Sequence, residues 1–245
     1  MVEMAQLVRL VESKDETNWH NALVDVASSL GFDSVMCAAV PSKHAGVESS
    51  FVHSNYSLEW RSHYLSAKLY EVDPTVTHCR RSVLPLVWEP ETFIQHRQIE
   101  LYEEASGFGI RAGVTFPMHG SNGEAGLISF ATDALPGGSF TDRLVHYMAD
   151  LALVRDYAFE SALPFIHGRA SAEPVPHMTK RELEVLKWIM AGKSSWEISR
   201  ITSCAEATVN FHISNIRQKF GVNTRQQAIV KAIALGMITP EDPHR

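Results

Sequence analysis

Apolar side chains at Trp19, Leu23, Val26, Ala27 and Leu30 recur at helical spacing and stop at Gly31, which predicts an early helix with one buried face. Residues 32–40 form an apolar, β-leaning run, and residues 50–53 a shorter one. Helical patterns return over 58–70 and 91–106, the second ended by Gly107 and Gly109. Residues 111–118 and 125–132 read as strands and flank Ser121-Asn122-Gly123, an Asn-Gly hairpin signal. A long helix over about 140–161 follows. Helices therefore bracket a mixed or largely antiparallel sheet, the pattern of an α/β/α sandwich.

Between 163 and 178 the periodicity stops. Pro164, Pro174 and Pro176 fall there with Gly168 and serines, which predicts an extended linker. Residues 1–162 and 179–245 are then separate domains. The second carries four short helices and no strand, so the chain as a whole is α+β. Thr179 with Glu182, Ser194 with Glu197 and Thr224 with Gln227 have the spacing of capping boxes. Leu183, Leu186 and Met190 make the inner stripe of the first helix, and Ile198 and Ile201 that of the second. The third runs from about Ala205 to Gly221, and only about three residues near Ser203 join it to the second, as in a helix-turn-helix.

Charge sharpens this division. Residues 1–170 hold 12 Lys and Arg against 21 Asp and Glu, whereas 187–231 hold 7 against 2. An acidic body with a basic tail domain suggests that only the tail meets a polyanion. The longest uncharged run, the twelve residues between Arg111 and Glu124, is too short and polar to cross a bilayer. The N-terminus has no secretory pattern. Cys37, Cys79 and Cys204 lie far apart, and they and the scattered histidines have no metal-ligand spacing; they read as thiols of a cytoplasmic protein without a metal or other cofactor.

On the third helix Val209, Ile213, Ile216 and Phe220 form one inward stripe, and Asn210, Ser214 and Arg217 lie on a different face with Lys219 at its end. Short polar side chains on an anchored helix can read base edges, and flanking cations can hold phosphates. In the first domain Tyr56, Trp60 and Tyr64 repeat every four residues, followed by Asp73-Pro74-Thr75, Trp88 and, on a strand, Ser129. Singly, each has a structural explanation: an aromatic core stripe, an N-cap before a helical Pro, a hydrogen bond within the sheet. Together they describe an apolar cavity with a few convergent polar groups, which suits a mainly apolar ligand with an amide or ester head.

These residues also carry a resemblance. Thr179, residues 183–192, Ser195-Trp196-Glu197-Ile198, Thr208-Val209, His212, Asn215-Ile216 and Lys219-Phe220-Gly221 resemble the LuxR-type DNA-binding domain, with Glu182, Leu186 and Gly192 at three typical positions. Where that family starts the third helix with Ser, Ala205 stands here; Ser203 is the candidate substitute cap. Trp60, Tyr64, Asp73, Pro74, Trp88 and Gly113 match six positions typical of the family's autoinducer-binding domain. The resemblance implies a quorum-sensing transcription activator, with no enzymatic activity and no membrane contact. Its implied ligand is an N-acyl-homoserine lactone of long chain, with or without a 3-oxo group. It further implies a homodimer on palindromic double-stranded promoter DNA, with RNA polymerase as a further partner. By it Trp60 donates to the lactone carbonyl, Asp73 accepts the amide N–H, and Tyr56 and Ser129 donate to the amide carbonyl. Thr75 supports the head group and Arg61 reaches a 3-oxo group through water, while Met36, Val40, Val47, Val52, Tyr64, Cys79, Ile110 and Leu127 line the acyl tunnel.

Two other classes compete. A response-regulator output protein would begin with a strand ending in acidic residues, but Asp15-Glu16 follows no such strand. A lactone- or amide-cleaving enzyme would need a nucleophile or metal motif, and no Gly-x-Ser-x-Gly, His-x-x-Glu-His or His-Glu-x-x-His is present.

Overall fold

The computed structural model describes residues 1–42, 45, 49–170 and 176–238, which fall into two compact units, Met1–Ala170 and Ser171–Arg245. In the first, α1 (Met4–Val11) and α2 (Glu16–Ser29) precede β1 (Ser34–Val40) and β2 (Phe51–Ser54). Then come α3 (Leu58–Ser66), α4 (Pro74–Cys79), β3 (Leu86–Val87), α5 (His96–Gly107), the hairpin β4 (Ala112–His119) and β5 (Ala125–Thr132), and α6 (Gly138–Ala170). Every strand pair is antiparallel, in the order β2-β1-β5-β4-β3. Side chains alternate across this sheet. Val35 and Cys37 of β1, Val114, Phe116 and Met118 of β4, and Ile128 and Phe130 of β5 pack under α1, α2 and α6. Met36, Ala38, Leu127 and Ser129 take the opposite face, the one α3, α4 and α5 cover. A one-residue slip of register would exchange the two sets, so the buried face fixes it.

Three elements depart from the sequence pattern, each where tertiary contacts or a backbone turn decide. The helix expected over 58–70 ends at Ser66; Lys68 takes a left-handed φ of +52°, and a 3-10 turn over Leu69–Glu71 delivers the chain to Asp73. The helix expected from 91 begins at His96, where the side chains of Gln95 and Gln98 cap each other's backbone. The expected linker is helical in its first half, since α6 runs through Pro164 to Ala170. Proline removes a helical donor, but Ala162 and Ile166 on that turn are fully buried, and Phe165 stacks on Phe51 with centroids 6.2 Å apart. That burial outweighs the missing bond. Residues 171–175 of the expected linker lie outside the described residues, and 176–178 have no regular structure.

The second unit has α7 (Lys180–Met190), α8 (Ser195–Ile201), α9 (Glu206–Phe220) and α10 (Arg225–Ala234), and no strand among its described residues. The three capping boxes form as the spacing predicts. Leu186, Ile198, Val209, Ile216, Phe220 and Ala232 make its core, whereas Ile201 stays 43% exposed because α8 ends there. Ala205 occupies the N-cap of α9 without a side-chain hydrogen bond. Ser203 does not substitute for it: its left-handed φ of +51° makes the turn between α8 and α9 instead. Gly221, at φ +62°, terminates α9.

Candidate functional site

Tyr56, Trp60, Arg61, Tyr64, Asp73, Thr75, Trp88 and Ser129 all line one cavity of about 520 Å³ between the sheet and α3–α5. Local structure places each. Ser57 caps α3 by accepting from the Trp60 backbone N–H at 3.2 Å, so Trp60 and Tyr64 follow one turn apart on the helix face toward the sheet. Asp73 caps α4, with Pro74 in its first turn, and thereby turns Thr75 inward. Trp88 lies against β4 because residue 113 is Gly: a Cβ there would sit 2.9 Å from the indole ring and 2.7 Å from the Phe130 carbonyl oxygen. Of the tunnel candidates, Met36, Val40, Val52, Tyr64, Cys79, Ile110 and Leu127 line the same cavity, and Val47 lies outside the described residues.

Some wall residues escaped sequence reasoning. Ala38 continues the alternation of Met36 and Val40, and Leu101 and Ala105 stand four apart on α5, so a period could have found them. Tyr70 and Phe93 fall within the helical patterns expected over 58–70 and 91–106, but the chain there is a 3-10 turn and a loop, so that period could not have pointed to them.

The carboxylate of Asp73 is the electrostatic centre of the wall. Oδ1 accepts from the Thr75 backbone N–H at 2.8 Å and from its hydroxyl at 2.7 Å, and Oδ2 accepts from the Tyr64 hydroxyl at 2.8 Å. Burial raises its pKa, and the hydrogen bonds from Thr75 and Tyr64 only partly offset that. Burial likewise raises the phenols of Tyr56 and Tyr64, with the Asp73 charge adding to it, and pushes the Cys79 thiol up to about 12. The cavity thus holds one carboxylate acceptor and several neutral donors, with Arg61 and Arg80 also in its lining. Tyr64 has committed its hydroxyl proton to Asp73 and Trp88 its indole N–H to Thr115. The Trp60 indole N–H and Tyr56 hydroxyl make no hydrogen bond among the described residues and remain available.

On α9 the structure separates the four residues expected at nucleic acid. Asn210 and Ser214 are exposed, and Asn210 Oδ1 accepts from the Ser195 hydroxyl at 2.7 Å. Arg217 is half-buried and donates to the Asn223 carbonyl at 3.1 Å, bracing the turn after the helix. Lys219 is not a free flanking cation. Its ammonium lies 2.7 Å from Glu182 Oε2 and also donates to the His177 carbonyl. The spacing put it beside the polar face, and there its ammonium pairs with the buried carboxylate on α7. Burial works against that charge, yet Lys219 and the Thr179 donors outweigh it and hold Glu182 below the ordinary carboxyl value of 4.5. A depressed carboxyl pKa contributes stability that is present above 4.5 and lost as pH falls through the folded value. Lys219→Ala is therefore expected to destabilise the second unit by roughly 2–3 kcal/mol at neutral pH, by leaving Glu182 buried without its cation. Hydrogen exchange across α7 and α9 measures it; unchanged protection at pH 7 would return Lys219 to the surface role.

An α/β/α unit with an apolar cavity, together with a four-helix unit that exposes a polar helix face, is the arrangement expected of a ligand-responsive DNA-binding regulator. Residues 15–162 match the autoinducer binding domain, residues 176–232 match the bacterial regulatory proteins of the luxR family, and the chain belongs to that family. It is a LuxR-type quorum-sensing transcriptional activator, with an autoinducer-binding domain and a helix-turn-helix. Transcriptional activator VanR of Vibrio anguillarum is 30% identical over 97% of this chain and 99% of that protein. Transcriptional activator LuxR of Aliivibrio fischeri is 34% identical over 75% of this chain and 73% of its own length. These relatives are regulators, not enzymes. Escherichia coli SdiA superposes with a TM-score of 0.75 at 25% identity, over 96% of this chain and 97% of that one. SdiA in complex with octanoyl-rac-glycerol gives 0.73 at 26% identity, over 94% and 92%. No described helix is long and apolar enough to cross a membrane.

Proposed function

We propose that the autoinducer is a long-chain N-acyl-homoserine lactone. The observation that carries this reading is that one apolar cavity is lined by the Asp73 carboxylate, Trp60 and Tyr56 on its helical side and by Ser129 on its sheet side. An acyl amide next to a lactone offers one N–H and two carbonyls, which fits one acceptor and several donors. Asp73 then takes the amide N–H, Tyr56 and Ser129 the amide carbonyl, and Trp60 the lactone carbonyl. Thr75 supports the head, and Arg61 reaches a 3-oxo group through water. The tail runs along the sheet: Ser129 and Ala125 both line the cavity, and four residues of strand span about 13 Å, room for a long chain.

The bound regulator acts in the cytoplasm as a homodimer on palindromic promoter DNA, where it also meets RNA polymerase. A single recognition helix reads too few base pairs, and two on a two-fold axis read half-sites about one helical turn apart. Asn210 and Ser214 face base edges, and the exposed Lys180, Lys187 and Arg200 supply phosphate contacts in place of Lys219. Asn210→Ala and Ser214→Ala are expected to lower discrimination between operator and random DNA by roughly 1–3 kcal/mol for a lost base contact. Equal loss on both DNAs, by titration at fixed salt, would remove them from the reading face.

The ligand is tested by expressing the full chain with a panel from butanoyl- to dodecanoyl-homoserine lactones, then extracting the purified protein for mass spectrometry. Retention of an intact long-chain lactone supports the reading; a cleaved lactone, or none retained, overturns it. A second reading follows from the acylglycerol complex of SdiA: an acylglycerol offers Asp73 a hydroxyl in place of an amide N–H. An acylglycerol recovered from cells grown without lactone, and not displaced by the panel, would favour it.

A further inference from the structure

Behind the cavity wall three polar side chains form a chain. The Trp88 indole N–H donates to Thr115 Oγ1 at 2.9 Å, and Thr115 Oγ1 lies 2.9 Å from Ser129 Oγ. The register places Thr115 of β4 directly opposite Ser129 of β5. Ser129 lines the cavity, whereas Thr115 is fully buried and does not. Gly113 is what lets the indole come this close, since a Cβ there would collide with the Trp88 ring.

The protons then decide the direction of the chain. Trp88 fills one acceptor position of Thr115. Two hydroxyl hydrogens remain, one on Thr115 and one on Ser129, with a single contact between the two oxygens. Among the described residues neither hydroxyl has another partner. Were Ser129 the donor, the Thr115 hydrogen would be buried with no acceptor, an arrangement proteins avoid. Thr115 therefore donates to Ser129, and the Ser129 hydrogen has only the cavity to point into. We infer that Thr115 is a positioning residue: the relay from Trp88 through Thr115 turns the Ser129 hydroxyl hydrogen toward the ligand, so that the site favours a carbonyl at that point. The inference rests on the reading that sets the ligand's amide carbonyl against Ser129.

The test measures the half-maximal concentration of N-dodecanoyl-homoserine lactone in a reporter strain for the full chain. Thr115→Val keeps the shape and removes the hydroxyl; it is expected to raise that concentration about tenfold, and Thr115→Ser to restore the response. In a Ser129→Ala background Thr115→Val is expected to add less than a twofold change, because no hydroxyl remains to orient. An unshifted Thr115→Val, or effects that multiply in the double variant as those of an orphaned Trp88 N–H would, overturns the relay. If Thr115→Val does not fold, neutron diffraction of the native complex decides. A deuteron on Thr115 aimed at Ser129 supports the relay; one on Ser129 aimed at Thr115 overturns it. A native chain that ignores the lactone overturns the ligand reading, and the relay with it, whereas a native response shared by Thr115→Val overturns the relay alone.

Discussion

Full-length chain made without a lactone is expected to unfold at a temperature at least about 5–10 °C below that of chain made with N-dodecanoyl-homoserine lactone. The first unit must maintain a cavity of about 520 Å³. At about 24 cal/mol per Å³, a dry void of that size corresponds to about 12 kcal/mol, comparable with the whole 5–15 kcal/mol margin of a domain. Water drawn in by Tyr56, Trp60 and Ser129 relieves part of this but leaves the apolar wall around Met36, Leu127 and Ile110 unfilled. A ligand one hundredfold above its Kd adds roughly 2.7 kcal/mol by linkage alone, which sets the lower bound of the shift. Because α3, α4 and α5 meet the sheet largely across the cavity, loss of its contents should loosen them first, while the layer of α1, α2 and α6 persists. Calorimetry of both preparations checks this. A ligand-free chain that is soluble and melts at the same temperature after addition of lactone would show that the cavity is self-supporting.

Asp73→Asn is expected to raise the half-maximal lactone concentration about 10- to 100-fold while leaving the ligand-free melting temperature nearly unchanged. The two effects separate because the proposed ligand contact is distinct from the capping role of Asp73. As the N-cap of α4 it accepts from Thr75 through Oδ1 alone, and an Asn oxygen does this comparably. At Oδ2 an amide nitrogen would meet Tyr64, whose hydroxyl can turn from donor to acceptor. No such reversal is open to the ligand's amide N–H, which would face a donor in place of a charge-assisted acceptor worth roughly 1.5–3 kcal/mol. Reporter titration beside thermal unfolding reads both quantities. An unshifted titration would leave Asp73 with the capping role only.

How legible the site was depended on the kind of residue. Trp60, Tyr64, Asp73 and Trp88 could be named because large aromatics and an Asp-Pro pair stand out in any sequence, and all four line the cavity. Thr115 could not: a threonine inside an apolar strand looks like a β-former, and only the opposing Ser129 and the indole above it give its hydroxyl a purpose. The same limit hid the ion pair of Lys219, since helical spacing says which face a residue occupies but not that a buried Glu182 waits on another helix.

By itself the sequence determined the two-unit division, the alternation that sorts each strand's side chains, the three capping boxes and the inward stripe of α9. These follow from periods and caps, which act between residues a few positions apart. Tertiary structure alone decided what depends on distant neighbours. Pro164 stays inside α6 because Ala162 and Ile166 are fully buried and the partly buried Phe165 stacks on Phe51, so no local rule for proline could place the helix end. Ser203 turns the chain and leaves α9 uncapped because α8 and α9 must pack on one core. The direction of the Ser129 hydroxyl comes from a β3–β4–β5 alignment that brings residues 88, 115 and 129 together, and a hydrogen bond is as specific as the positions of both its atoms.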